Sequence, residues 1–473
     1  MNEILELVGM KKEWLSESFT KNGKAKTTVL PAVLAQHIRD TCNYIFVCNL
    51  ATDSVMRYWY ANGYYKLVSN DGLKGFIKQH IPTLHHKTRD ITEVFNLLIT
   101  DLNFVQHDDL NNNDNIINFQ NGLLYLDTME LKEHTPDVMT TTQRPYNYNP
   151  DAKPTDHKYF DNFLNDFTQD KDGTINLSKQ KLLKQYMGAI ISNVSGWRYK
   201  KALFVIGEGN TGKSKLKELA HKLIGSDNVG IASLEQLEAR FGTTRIYQKR
   251  LSGDGDMSYQ SVKELEIFKK STGGDNLGFE FKGQTPFNGV YDGFLWFATN
   301  KLPKFSGDKG KWVYDRMMIL ESFNVCPPEK QDKQLIDHMY EEKEYIAKVC
   351  IDALKESIAN NYTFEIPADM HDILSEYVVE NDSFLRFMSE CTTGRPKNYL
   401  DCCTIKRLYD VYKEWCKDNN SGYSESKKNT IERLKELGKN KVKIRDGYRY
   451  YADFTLEQVT KKEYMGIYGV DKI

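Results

Sequence analysis

The sequence predicts a multidomain α/β protein built around a central parallel sheet with helices on its faces. The chain has 473 residues, enough for about three domains of roughly 150 residues each. From residue 201 to about 325, short apolar strands alternate with helical segments, which is the pattern of an α/β domain. β-rich runs precede this region, and helices followed by a tyrosine-rich hairpin come after about residue 371.

Composition excludes several classes of protein. Lys and Arg number 64 against 65 Asp and Glu, a net charge of −1. The whole molecule therefore cannot steer a polyanion, and any nucleic-acid surface must be locally basic. A bilayer span needs roughly 18 consecutive apolar residues, and no run approaches that length. The amino terminus carries charges within its apolar stretch, unlike a signal peptide. We expect a cytoplasmic protein without a membrane partner.

The first 148 residues predict a small α+β domain. Residues 44–68 form two β-rich runs around Asn62-Gly63, a pair suited to a tight hairpin turn. INFQNGLLYLDTMEL at 117–131 repeats the strand–turn–strand pattern. Residues 149–200 predict a linker, rich in Pro and Asn at its start, followed by a helical collar used in oligomerisation.

The most informative segment predicts a phosphate-binding loop. An apolar strand ends at Ile206, and an amphipathic helix begins near Lys213. The pattern G-x-x-x-x-G-K-S lies between them, in the strand–loop–helix context that phosphate binding requires. Glycines let backbone N–H groups approach the phosphates, the Lys reaches the β- and γ-phosphates, and the Ser ligates Mg²⁺. The predicted ATP-binding residues are Gly207, Glu208, Gly209, Asn210, Thr211, Gly212, Lys213 and Ser214.

Paired acids follow about 40 residues later. Asp254 and Asp256 come after a short strand and, being two residues apart, point the same way. A carboxylate at a neighbouring strand end can hold Mg²⁺ and polarise the attacking water. We expect Asp254 to be the magnesium ligand beside Ser214. The pattern leaves open which of the two acids is catalytic.

Two further polar residues end or precede apolar strands. Asn300 ends GFLWFATN, where its amide could orient a water beside the γ-phosphate. Arg316 lies directly before another strand, where a ring-forming ATPase can use an Arg as a finger on its neighbour's nucleotide.

This order of motifs resembles the superfamily-3 helicases. Phosphate loop, SGDGD, FATN and a Trp-x-x-x-Arg segment fall within about 110 residues. The group includes papillomavirus and polyomavirus replicative helicases, poxvirus primase-helicases, and replication proteins of satellite phages and plasmids. Within it, the chain looks most like the phage and plasmid type, including replication initiators of staphylococcal pathogenicity islands. INFQNGLLYLDTMELKEHTPD and LYDVYKEWCKDN resemble the segments before and after the ATPase, so the resemblance covers roughly residues 90–450.

The resemblance implies a domain architecture, an oligomeric state and an activity. It implies an AAA+-like ATPase domain at 201–370 that assembles as a homo-hexamer and uses ATP and Mg²⁺ to pull single-stranded DNA through its channel, usually 3′→5′. Carried over by position, Asp254 and Asp256 form the acidic pair, Asn300 the sensor and Arg316 the finger. It further implies a bacterial host cell and possible contacts with host replication proteins. In many relatives the acidic motif has a Glu or a more apolar strand, a departure that bears on the choice between the two acids.

A basic hairpin tip is expected between the acids and the sensor. Residues 278–286, GFEFKGQTP, form an aromatic-flanked turn with Lys282 at its tip. The family places a hairpin here whose basic tip lines the channel, and phosphate contacts of this kind carry no sequence information.

The carboxyl-terminal region, 371–473, predicts a winged-helix-like DNA-binding domain. Helical runs at 371–390 and 404–418 precede a helix that starts at an N-cap Ser424 and a hairpin that turns at Asp446-Gly447. Residues 424–450 carry nine basic and four acidic residues, a net charge of +5. Such a domain could recognise an origin in duplex DNA. Its candidate DNA-binding residues are Lys427, Lys428, Asn429, Arg445 and Arg449.

Alternatives remain open at this stage. The chain could be a DNA-binding initiator that uses ATP as an assembly switch, or more remotely a P-loop kinase, although no acceptor pocket or lid is recognisable. Primer synthesis needs clustered carboxylates on a strand to bind two metals. Asp108 and Asp109 lie instead in an Asn-rich loop, so we do not expect primase activity.

Overall fold

The computed structural model divides the chain into two compact units. It describes residues 12–20, 22–49, 54–100, 104–106, 109–257, 261–283, 286–305, 311–393, 403–419, 424–439, 441–443, 449–451 and 455–456. The first unit comprises residues 1–259, 264–302 and 320–367, and the second comprises 260–263, 303–319 and 368–473. The segment 303–319 thus packs with the carboxyl-terminal residues, although it falls inside the range predicted for the ATPase domain. The predicted domain boundaries stay a prediction.

The amino-terminal part of the first unit is a four-stranded sheet with three helices. The elements are β1 (Leu15–Phe19), β2 (Ala25–Val29), α1 (Pro31–Thr41), β3 (Tyr44–Asn49), β4 (Ser54–Ala61), β5 (Tyr64–Leu67), α2 (Asn70–His80), α3 (Thr88–Ile99) and β6 (Phe104–Gln106). The sheet order is β5–β4–β3–β6. Tyr44 and Phe46 face the core formed with the helices, and Ile45 and Val47 face a separate core, because successive strand side chains point to opposite faces.

Both predicted hairpins are present. β4 and β5 are joined by Asn62 and Gly63, whose φ angles are +58° and +89°, as a turn with two left-handed central residues requires. The second hairpin belongs to a three-stranded antiparallel sheet. Its strands are β7 (Ile116–Phe119), β8 (Gly122–Tyr125) and β9 (Leu131–Lys132).

The centre of the first unit is a five-stranded sheet between helices. Its elements are α4 (Tyr159–Phe167), α5 (Leu177–Ile191), β10 (Ala202–Ile206), α6 (Lys213–Ile224), β11 (Val229–Ile231), α7 (Leu234–Glu238), β12 (Leu251–Gly253), α8 (Glu266–Gly273), β14 (Leu277–Phe279), β15 (Phe287–Gly289), β16 (Phe294–Thr299), β18 (Met317–Glu321), α10 (Leu335–Glu341) and α11 (Lys343–Ala359). The order is β11–β12–β16–β10–β18, and the first four run parallel. The division between the units falls within β18, whose residues 317–319 are counted with the second unit. The near-continuous burial of β10 and β16 is typical of a sheet covered on both faces, which confirms the predicted mixed α/β fold.

Two buried arginines bind the carboxyl end of α5. Arg144, which pairs through its backbone with β7, donates from Nε to Ile191 O and from Nη2 to Ser192 O. Arg250, the residue before β12, donates from Nε to Ile190 O at 3.2 Å and from Nη2 to Ala189 O. The last carbonyls of a helix have no intrahelical N–H partner, and the two guanidinium groups supply donors to them. The antiparallel hairpin sheet and the parallel sheet are therefore both fixed to one helix end.

The second unit is built mainly from helices and short strands. Its elements are β13 (Ser261–Val262), β17 (Lys304–Phe305), α9 (Lys311–Tyr314), α12 (Ala368–Asn381), α13 (Ser383–Cys391), β19 (Thr392–Thr393), β20 (Cys403–Thr404), α14 (Ile405–Asp418), α15 (Lys427–Glu436), β21 (Lys441–Lys443), β22 (Arg449–Tyr451) and β23 (Thr455–Leu456). Its core contains Phe384, Phe387, Tyr412, Trp415 and Leu434.

The helix limits in this unit differ from those expected. Residues 371–390 do not form one helix, because the Asp382 side chain accepts from the backbone N–H groups of Phe384 and Leu385 and starts α13. Ser426, not Ser424, caps α15. Among the residues that the structure describes, no helix has the length and apolar character needed to cross a bilayer.

Candidate nucleotide-binding site

The glycine-rich loop joins β10 to α6 with two glycines at positions that disfavour any larger residue. Gly212 has φ +89°, and a Cβ there would lie 3.0 Å from the ring of Phe163. Gly207 has φ +150°, and its Cβ would lie 2.4 Å from Ser322 O. Gly209 has open space around it. The loop therefore depends on its first and last glycines, because the chain packs tightly against both.

Lys213, the first residue of α6, folds back over this loop. Its Nζ donates to Gly207 O at 2.7 Å and also to Glu208 O. Burial lowers the pKa of Lys213, and the negative charge of Asp256 opposes that shift. The ammonium group is thus already largely withdrawn from water at the position where phosphate oxygens would bind. Glu208, Asn210 and Ser214 are exposed, and Thr211 is buried with its hydroxyl donating to Glu208 O.

The two acids follow β12 at the same edge of the sheet. Asp254 O accepts from Ala298 N at 2.9 Å, so the residue remains aligned with β16. Asp256 N donates to Asp254 Oδ1 at 3.1 Å, which closes a short turn. Asp254 is half-buried and Asp256 is exposed. Both carboxylates therefore lie at the strand end with oxygens accessible to a ligand.

Asn300 follows β16 at that edge. Ile206 pairs with Thr299 in parallel register, so Asn300 comes level with the start of the glycine-rich loop. Its side chain is exposed. The buried Thr299 hydroxyl lies 2.8 Å from both Met257 O and Lys301 O, which ties the loop after the acids to the end of β16. Thr299 could not be singled out from the sequence, since a threonine in an apolar strand gives no signal of its own.

Lys217 is a second residue that sequence reasoning missed. It lies one turn after Lys213 on α6, is buried, and donates from Nζ to Trp296 O at 2.8 Å. Burial lowers the pKa of Lys217 to about 7, against the opposing charge of Asp254. One turn further, burial and the charge of Lys217 lower the pKa of His221 to about 4. The available signal was the four-residue spacing, which puts Lys213, Lys217 and His221 on one helix face.

Arg316 belongs to the second unit. Its Nη1 donates to Trp312 O at 2.7 Å, and its guanidinium carbon lies 5.7 Å from the centre of the Trp312 ring. Within the described part of the chain, its buried Nε has no hydrogen-bond partner. The local contacts thus give the Arg316 side chain a fixed direction. Its action on a neighbouring subunit stays a prediction.

The expected basic hairpin is formed by β14 and β15. Their register pairs Phe279 with Phe287, and both rings lie about 5 Å from Tyr247, at 4.9 and 5.2 Å between centroids. Lys282 lies exposed in the turn, beside Gly283 with φ +77°. An aromatic stem therefore supports an exposed lysine at the tip.

The carboxyl-terminal candidates divide into described and undescribed residues. Lys427, Lys428 and Asn429 form the exposed first turn of α15, and Asn429 N donates to Ser426 Oγ at 3.2 Å. Arg449 is the first residue of β22, whereas Arg445 lies outside the described residues. DNA contact by these residues stays a prediction.

The donor set suits a magnesium nucleotide. Ser214 and Asp254 offer a hydroxyl and a carboxylate oxygen, and Mg²⁺ prefers oxygen ligands and keeps several waters when bound with phosphates. Ser214 is exposed and Asp254 is half-buried, so solvent reaches both residues.

Taken together, fold and site define a multidomain α/β protein whose parallel sheet gathers a glycine-rich loop, two lysines and two aspartates at its carboxyl edge.

Residues 37–169 match a family described as D5 N terminal like. Residues 205–316 match a family of unknown function. Among solved structures, the chain is similar to the A form apo structure of the NrS-1 C terminal region, with 11% identity and a TM-score of 0.45. It is also similar to the apo structure of NrS-1 residues 305–718, with 9% identity and a TM-score of 0.46. Each match covers 89% of this chain and 99% of the other.

The buried ammonium group of Lys217 gives a pH-dependent prediction. An unfolded lysine has a pKa of about 10.4, so between pH 7 and that value the unfolded chain binds the proton that the folded chain releases. The stability cost of Lys217 is therefore full below pH 7 and fades as the pH rises. We expect Lys217→Met to raise the melting temperature more at pH 6.5 than at pH 9.

Thermal unfolding at the two pH values checks this. The matched control is Lys215→Met, an exposed position on the same helix, whose effect should be the same at both. An equal Lys217→Met effect at both pH values would contradict the prediction.

Proposed function

We propose that the chain is an ATP-driven replicative DNA helicase and replication initiator that works as a homo-hexameric ring on single-stranded DNA, with 3′→5′ polarity. The observation that carries the proposal is the convergence of Lys213, Asp254, Asp256 and Asn300 at one edge of the parallel sheet, next to a glycine-rich loop. The D5 N terminal like match at 37–169 also supports it, and reaches further toward the amino terminus than the motif resemblance. A bacterial cytoplasmic location and contacts with host replication proteins are part of the same proposal.

The proposed chemistry follows from the side chains at this edge. Backbone N–H groups of the loop would wrap the phosphates, and Lys213 would exchange its loop carbonyls for β- and γ-phosphate oxygens. Ser214 and Asp254 would hold Mg²⁺, which neutralises phosphate charge when bound. A carboxylate of the acidic pair would take a proton from the attacking water, which Asn300 orients. The water oxygen then bonds to the γ-phosphorus as the bond to ADP breaks.

Charge that develops on the phosphoryl group needs a further cation. We propose that Arg316 of one subunit supplies it to the neighbouring subunit, as arginine fingers do. The packing of Arg316 on Trp312 supports this role, since a preoriented guanidinium loses less freedom when it binds.

An ATP-switched initiator is the second candidate function. The order α13–β20–α14–α15–β21–β22 and the strand order β20–β22–β21 support a winged-helix-like DNA-binding domain. A switch would bind and hydrolyse ATP without separating strands, so a strand-displacement assay on a forked DNA distinguishes the two. A kinase, the remote alternative, would transfer phosphate to an acceptor other than water.

Replacing the loop lysine tests the ATPase. Lys213→Ala should lower ATP turnover about 100-fold or more, the scale of losing one charge-stabilising group. Phosphate release at saturating ATP measures it. Lys215→Ala is the matched control, because Lys215 lies two residues away, is exposed and pairs with Glu218 at 3.2 Å. Wild-type turnover in the Lys213 variant would remove the phosphate-loop assignment.

The hairpin tip gives a prediction that separates two activities. Lys282→Ala should reduce strand displacement and the stimulation of ATPase by single-stranded DNA while basal ATPase persists. Every subunit loses one phosphate contact, and such contacts dominate non-specific DNA affinity. Displacement of a forked duplex and phosphate release are measured together, with Lys132→Ala on the β9 strand as the control. Unchanged displacement would leave Lys282 as an ordinary loop residue.

The first turn of α15 tests origin recognition. A major-groove contact from this turn would read bases, whereas a translocating ring holds only phosphates. Lys427→Glu and Lys428→Glu should each weaken binding to duplex that contains the origin while leaving displacement of an artificial fork nearly unchanged. The control is Lys435→Glu, the same charge reversal near the other end of α15. This variant should bind the origin more tightly than the Lys427→Glu and Lys428→Glu variants do.

Titration of origin and scrambled duplexes at one fixed salt concentration provides the measurement. Equal wild-type affinity for both duplexes would reduce the domain to a non-specific clamp or a protein-docking surface.

A further inference from the structure

The end of α12 holds the segment that carries Arg316. Asn381 Oδ1 accepts from Phe305 N at 2.8 Å, and its Nδ2 donates to Tyr314 OH at 2.9 Å. One turn earlier, Tyr377 OH donates to Pro303 O. Asn381 and Tyr377 are 7% and 8% exposed. The oxygen and the nitrogen of the buried Asn381 amide thus both bond to residues between 303 and 319. These bonds hold Phe305 and Tyr314 against α12.

Asn381 is connected to Arg316 through Tyr314 and the short helix α9. Tyr314 ends the four-residue helix α9, and Arg316 follows two residues later with its Nη1 on Trp312 O of that helix. The rings of Phe305, Tyr314 and Tyr377 pack near one another, with the Tyr314–Tyr377 centroids 6.1 Å apart at 78°. A shift of α12 would therefore move α9 and redirect the guanidinium, because packed aromatic groups transmit displacement rather than absorb it.

The next residue, Asp382, bonds to α15 and not to the Arg316 segment. Asp382 is 3% exposed, caps α13, and accepts from Arg433 Nη2 of α15 at 2.6 Å. Arg433 also bonds to Glu425 just before α15, at 3.0 Å. α15 is the helix whose first turn carries Lys427 and Lys428. Adjacent residues thus join the Arg316 segment and the proposed DNA-reading helix within one compact unit.

We propose that Asn381 is a positioning residue through which duplex DNA bound at α15 sets the direction of Arg316 and so the rate of ATP hydrolysis in the neighbouring subunit. This inference rests on the proposed function. A rigid connection of this kind lets duplex binding change ATP turnover, because any ligand that prefers one position of α15 also prefers one position of Arg316.

Tyr314→Phe and Asn381→Ala in the full-length chain test the coupling. Tyr314→Phe removes only the hydroxyl that accepts from Asn381 and keeps the ring that packs on Tyr377. Both variants should keep the wild-type KM for ATP and the wild-type affinity for a random-sequence duplex. Stimulation of kcat by that duplex should fall about tenfold, equivalent to ~1.4 kcal/mol of transition-state stabilisation.

Ser383→Ala is the matched control. It removes a hydrogen bond of the same kind, 2.8 Å to Tyr412 OH, two residues from Asn381 but directed away from residues 303–319. It should keep full stimulation.

The outcomes separate the inference from the function on which it rests. Wild-type stimulation in Tyr314→Phe and Asn381→Ala would overturn the inference while leaving the ATPase intact. Loss of duplex affinity in Tyr314→Phe would also overturn it, since the bond would then support the fold rather than the coupling. A wild-type chain without ATP turnover would overturn the proposed function itself, and the inference with it.

Discussion

The carboxyl end of α5 is the constraint on which the candidate site depends. Its last carbonyls are bound by Arg144 and Arg250, both buried. Burial lowers the pKa of Arg144 to about 9, with the charge of Arg250 adding to the shift. The partial negative charge of a helix end offsets part of that cost. Arg250 directly precedes β12, so its bonds to the helix carbonyls also fix the position of this three-residue strand. Asp254 follows the strand directly, and its position is fixed in turn.

From that fixed strand end, the two aspartates acquire different partners. The charge of Asp256 acts on Lys213 at the loop, and the charge of Asp254 acts on the deeper Lys217. The acids lie two residues apart along the chain and the lysines four residues apart along α6, and each acid raises the pKa of a different lysine. The spacing alone left the two acids equivalent. Their electrostatic surroundings make them distinct.

Local patterns predicted local structure well. The apolar runs at β10 and β16, the Asn62-Gly63 turn and the hairpin around Lys282 each depend on a few neighbouring residues. The helix break at Asp382 and the packing of residues 303–319 with α12 depend on contacts distant in sequence, such as Asn381 with Phe305. Arg144, Arg250 and Lys217 were missed for another reason. Charged side chains are usually solvated. No local pattern marks Arg144 and Arg250 as buried, and the spacing of Lys217 from Lys213 gives its helix face but not its burial.

The contacts of Lys213 bear on how tightly the loop could bind phosphate. The ammonium group of Lys213 already bonds to Gly207 O and Glu208 O. The free-energy cost of removing it from water is therefore part of the folding free energy and not of phosphate binding. A phosphate would therefore replace two neutral carbonyls with charged oxygens around a cation that needs no further desolvation. The carbonyls carry only partial negative charge, so full charges on phosphate oxygens would attract the ammonium group more strongly and would favour the exchange. The positive φ angles of Gly207 and Gly212, and the close approach of Ser322 O and the Phe163 ring, disfavour any larger residue at these two positions.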